Sequence, residues 1–215
     1  MNKFFKPFLA LLVPLFAVSI TACAEQYTEG KQYTKVNETI STKKEVREYF
    51  SVYCGHCFKF EPFMHDLKKS LPDGTTFERN HVDFLPGASP KIQQILTKAT
   101  VVAEQFDNTD KLIGALFNYI HVQRAVITSE KDVRNIFVLN GADGEKFDKL
   151  MKSFSVNSQT NLLKKKQENM SAKRALTGVP TIIVNGKYRV NPKELDTSNF
   201  QEDYKNLVKH LLTLD

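Results

Sequence analysis

Cysteine is scarce in this chain. There are three in 215 residues, and no second Cys-x-x-Cys accompanies the pair at Cys54 and Cys57. Structural zinc sites want four ligands and catalytic ones want three and a water. The histidines away from the pair, His65, His81, His121 and His210, form no paired spacing, so a metal site is not expected. Tryptophan is absent while phenylalanine numbers sixteen, an imbalance with no functional meaning of its own. No internal repeat or low-complexity segment is visible. Beyond the N-terminus no apolar run reaches the length needed to span a bilayer. A concentrated basic patch is also missing. The net charge is +6 with scattered Lys and Arg, and the short run Lys164–Lys166 reads as a solvated helix face, so nucleic acid is not an expected partner.

The composition that is present, 41% apolar and 25% charged, suits a globular chain with a sizeable core. Its first residues read as a targeting segment. Lys3 and Lys6 precede an apolar stretch from Phe8 to Ile20, too short to span comfortably. Ala22-Cys23-Ala24 fits a cleavage site that leaves Glu25 first, giving a signal peptide over 1–24. Ile20-Thr21-Ala22-Cys23 equally fits a lipobox, with a lipoprotein signal over 1–22 and a lipid on Cys23. Both readings export the protein. Either way Cys54 and Cys57 are the only thiols left. Export permits disulfides, but a bridge across two residues closes a tiny loop and restrains the unfolded chain little. The pair is therefore expected to be reactive rather than structural.

Strand patterns are expected at Tyr33–Val36, Glu45–Tyr53 and Thr76–Phe84. An amphipathic helix carrying Phe58, Phe60, Phe63, Met64 and Leu67 falls between the last two. From Ser89 to Thr177 the patterns are helical, including a capping box at Ser129–Asp132, a C-cap glycine at Gly141, and a long helix from about Asn157 to Leu176 closed by Gly178. Strand signals return at Thr181–Val184, the Asn185-Gly186 turn and Lys187–Val190. A last helix is expected over Ser198–Leu212. The order βαβ, helical block, ββα describes an α/β layer domain over 25–85 and 178–215, interrupted by a helical insertion over 86–177.

Cys54-Gly55-His56-Cys57 lies between a buried strand and a helix start. The free N–H groups and dipole of a helix N-terminus favour a thiolate there. Cys54 is thus expected to be the low-pKa attacking thiol and Cys57 the resolving one, with His56 adding positive charge or a hydrogen bond. Pro180, directly before a strand, is a candidate cis proline, beside which a substrate peptide would pair with the Val179 backbone as an added strand. Glu48 stands in the apolar strand on the same side as Phe50, Val52 and Cys54. It is read either as an acid reaching the sheet edge or as a buried carboxyl that accepts the Cys57 proton. Lys59 and Glu61, which follow Cys57 on the helix, are read as surface charges or, alternatively, as groups that tune the site.

Four segments in order, Gln26–Lys35 (QYTEGKQYTK), Glu48–Glu61 (EYFSVYCGHCFKFE), Gly178–Tyr188 (GVPTIIVNGKY) and Asn191–Phe200 (NPKELDTSNF), make the chain resemble the DsbA family of bacterial periplasmic disulfide oxidases. The resemblance implies an α/β thioredoxin fold with an inserted all-helical domain, and a monomer that needs no cofactor. It implies that a redox-active Cys54–Cys57 disulfide is donated to exported proteins and renewed by a quinone-linked membrane oxidase of the DsbB type. Cys54, Cys57, His56 and Glu48 map onto the catalytic positions, Val179 and Pro180 onto the substrate-binding ones, and Glu61 onto a position near the site. One departure is Gly55, where the best-known members carry proline. It leaves open a milder oxidant, or an isomerase or reductase on the same fold, and a peptide-binding chaperone is a third reading.

Overall fold

The structure, a computed structural model, describes residues 26–214 together with Met1. The targeting segment and Cys23 lie outside the described residues.

Five strands form one sheet in the order β1-β5-β4-β2-β3. They are β1 (Tyr33–Lys35), β2 (Glu45–Phe50), β3 (Thr76–His81), β4 (Thr181–Val184) and β5 (Tyr188–Val190). β2 and β3 run parallel, joined through helix α1 (Gly55–Ser70), while every other pairing is antiparallel. Asn185 and Gly186 turn β4 into β5 with φ of 50° and 68°, the left-handed region that Asn and Gly tolerate in tight turns, and Lys187 N–H closes the turn onto the Val184 carbonyl at 3.0 Å.

The period of two in β2 sends alternate side chains to opposite layers. Val46 packs with Phe63, Met64 and Leu67 of α1 and with Tyr204, Leu207, Val208 and Leu211 of the last helix, α7 (Phe200–Leu211). Tyr49 meets the other layer, where Met170 comes from helix α6 (Phe154–Ala172). The remaining helices, α2 (Pro90–Ala103), α3 (Thr109–His121), α4 (Glu130–Leu139) and α5 (Gly144–Lys152), share a core built on Leu96, Leu112, Leu116, Phe117, Phe137 and Phe147. That core is continuous with Phe50, Val52 and both cysteines. The helical block therefore packs directly against the end of β2.

Several expected boundaries move. β2 stops at Phe50 rather than Tyr53 because Cys54 N–H donates to the Ser51 carbonyl at 2.9 Å, closing a turn before α1. β3 stops at His81 rather than Phe84. The long helix starts at Phe154, capped by Ser153, and ends at Ala172. It is closed by Arg174 at φ 57°, not by Gly178, so the left-handed position after the helix is held by an arginine. The capping box at Ser129 and Asp132 forms, and Gly141 sits at φ 99° just past α4.

Candidate functional site

The turn after β2 places Cys54 at the N-cap of α1. Its sulfur accepts a hydrogen bond from the Cys57 N–H at 3.1 Å, taking one of the donors that a helix start leaves unpaired. Both thiols are free. Cys54 is 9% exposed and Cys57 fully buried. This asymmetry separates their acidities. The Cys54 thiol is lowered to about 6 by the hydrogen bond from the Cys57 thiol, by the backbone N–H groups of Cys57 and His56, and by the charge of exposed His56, against the opposing effect of burial. The Cys57 thiol is pushed strongly up, first by burial and then by sharing its proton with Cys54, with the Glu48 charge adding to the effect.

From the far end of the chain, the peptide bond between Val179 and Pro180 is cis. The Val179 carbonyl lies 3.4 Å from Cys54 Sγ as the acceptor of its S–H. Two segments more than a hundred residues apart thus meet at one sulfur.

Beneath the pair, Glu48 is fully buried in β2. Its register partner on β3 is Arg79, whose Nε donates to Glu48 Oε2 at 2.8 Å. The same guanidinium donates through Nη1 and Nη2 to both oxygens of Glu61, each at 2.7 Å, and stacks 4.1 Å over the Phe50 ring. Glu48 Oε1 has no hydrogen-bond partner. Burial pushes the Glu48 carboxyl up to about 7, with Arg79 pulling the other way. The edge-of-sheet reading of Glu48 is therefore wrong. So is the reading of Glu61 as a surface charge, because it is 8% exposed and held by a bidentate pair. Lys59 is exposed, as expected.

Sequence reasoning missed Arg79, His81 and His121. Arg79 stands in a strand of mostly polar residues (TFERNH), so nothing local marks it, and only the parallel register sets it beside Glu48. His81 is fully buried, with Nδ1 2.9 Å from Thr97 Oγ1 and Nε2 3.4 Å from Ser51 Oγ. Burial and the Arg79 charge lower its pKa to about 3, so it is neutral. His121, at the end of α3, sets Nε2 2.8 Å from the Val52 carbonyl.

A dithiol with one acidic and one suppressed thiol, beside a backbone edge and over a buried acid, is suited to thiol–disulfide exchange. The comparisons agree. The family model described as a DSBA-like thioredoxin domain matches residues 45–205. The thiol:disulfide interchange protein DsbA of Escherichia coli K12 is 38% identical over 200 residues, spanning 90% of this chain and 92% of that protein. A crystal structure of the disulfide oxidoreductase DsbA from Proteus mirabilis superposes with a TM-score of 0.75 at 30% identity, covering 87% of this chain and 98% of that one. A serine variant of the same protein, with a non-covalently bound peptide PWATCDS, gives the same score and identity over 87% and 99%. This chain belongs to the DSBA-like thioredoxin-domain family and is a thiol–disulfide oxidoreductase.

Proposed function

We propose that the oxidised Cys54–Cys57 pair donates its disulfide to reduced proteins newly exported to the periplasm. A substrate thiolate attacks Cys54, the Cys54–Cys57 bond breaks, and Cys57 leaves as a thiolate. Glu48, a buried acid near neutrality, supplies the proton that Cys57 then needs. A second substrate thiolate attacks the substrate sulfur of the mixed disulfide, and Cys54 departs as a stabilised thiolate. Two electrons pass from the substrate dithiol to the protein, and the substrate keeps a disulfide. His56 adds charge at the leaving sulfur. Val179 and Pro180 offer a backbone edge on which an extended substrate segment pairs, in keeping with a DsbA relative that binds a peptide non-covalently.

The observation that carries this reading is the Cys54 sulfur seated on the α1 N-terminus. A stabilised thiolate makes the reduced form the favoured one, which is what makes a strong oxidant. Reoxidation falls to a DsbB-like quinone-linked membrane oxidase. Residues 25–85 and 178–215 form the thioredoxin-like domain and 86–177 the insertion. The N-terminal segment is a signal peptide or, with Cys23 lipidated, an anchor. The test is single-turnover oxidation of a two-cysteine reporter peptide by the oxidised protein. One disulfide per protein is expected. Cys54→Ser is expected to give none, and full turnover by that variant would refute the assignment.

A further inference from the structure

The insertion hydrogen-bonds the redox turn through His121. Val52 is fully buried, and it lies inside the turn that Cys54 N–H closes onto the Ser51 carbonyl. The Val52 carbonyl accepts a hydrogen bond from His121 Nε2, at 2.8 Å. A buried carbonyl without a donor is costly, so this bond fixes the plane of the Val52–Tyr53 peptide at the centre of the turn before Cys54. The His121 ring is held in turn. It stacks on Phe58 of α1, with centroids 5.2 Å apart and planes 9° from parallel, and leans on Phe117, 6.1 Å away. A methyl group built on Gly55 would meet His121 Cε1 at 3.9 Å, so the imidazole lies over the glycine of the redox motif.

We propose that His121 is a positioning residue for the exchange reaction: its hydrogen bond to the Val52 carbonyl, made from the helical insertion, holds the turn that aims Cys54 Sγ at the N–H groups of α1. This rests on Cys54 being the attacking thiol. The imidazole acts through the backbone and not by its charge. Loosening the Val52 peptide lengthens the Cys57 N–H contact to Cys54 Sγ, and the thiolate loses stabilisation. Contacts that move α3 therefore change the chemistry of a cysteine outside the insertion.

The test compares two neutral replacements. His121→Phe keeps the stack on Phe58 and loses the donor. His121→Gln keeps a donor and loses the stack. Each reduced protein is titrated by thiolate absorbance, and its equilibrium with glutathione is measured. His121→Phe is expected to raise the Cys54 midpoint by about one unit, a tenfold change in the thiol–thiolate equilibrium, while His121→Gln stays near the parent. If His121→Phe does not fold, His121→Leu takes its place. Equal rises in both variants would overturn the proposal by assigning the effect to imidazole charge or packing, and so would an unmoved midpoint accompanied by a lower Tm. A parent midpoint near that of free cysteine would instead refute Cys54 as the activated thiol.

Discussion

The two halves of the molecule bury different things. Among the described residues, the sheet half buries Arg47, Glu48, Glu61 and His81, and nearly buries Arg79, whose side chain is 12% exposed. The insertion buries neutral polar groups, namely Gln93, Thr97, Thr100 and Gln167. Ionisable groups in a dry core are tolerated only when paired, and each raises the cost of an error. The sheet half carries that cost where the thiols are. The insertion is built like an ordinary helical domain, with side-chain caps at the starts of α2, α4, α5 and α6 and an aromatic core. Its reach into the chemistry runs through His121 and the packing of α3 against Phe50 and Phe58.

Phe147 is fully buried in α5 and stacks edge-on with Phe137 at 5.2 Å. Phe147→Ala should cost about 3–5 kcal/mol of stability yet leave the Cys54 thiolate midpoint in place. Denaturation and thiolate titration of the same sample check both halves of that statement, and a shifted midpoint would show that the insertion core is coupled to the site.

The second expectation concerns the sheet half alone. The Cys54 pKa is depressed to about 6 in the folded dithiol, against about 8.5 for an unfolded cysteine. Between these values the unfolded chain binds the extra proton. The contribution of Cys54 to the stability of the reduced protein therefore grows as pH climbs from about 6 to 8.5, by on the order of 3 kcal/mol, and is lost again as pH falls through 6. Above about 8.5 the buried Cys57 thiol, which resists ionising, reverses the trend. Urea melts of the reduced protein across this range should show the rise, and Cys54→Ser should lack it.

A smaller effect is expected at the capping box. Ser129→Ala removes the hydroxyl that accepts from Asp132 N–H and should cost about 1 kcal/mol. Its glutathione equilibrium should equal the parent's. A changed equilibrium would mean that the start of α4 is felt at the cysteines.

Much of this arrangement is legible in the sequence, for local reasons. Helix and strand order follows from periods of two and 3.6, and Asn185-Gly186 and Ser129–Asp132 announce their own geometry. Cys54 as a helix cap follows from a strand running straight into an amphipathic pattern. What stays hidden depends on register and on distant packing. Glu61 reads as solvated until Arg79 arrives from a strand eighteen residues later. His121 carries no motif, because its role comes from α3 crossing α1 at Phe58. Arg174 takes the left-handed place after α6 although Gly178 is the residue that advertises it.

The most direct test of disulfide donation is the equilibrium reduction potential of Cys54–Cys57 in a glutathione buffer. With Cys54 held as a thiolate by the α1 N-terminus, the expected value lies near that of DsbA, about −120 mV. A value near that of thioredoxin, about −270 mV, would mean that electrons flow from this protein to its clients, and disulfide donation would be excluded.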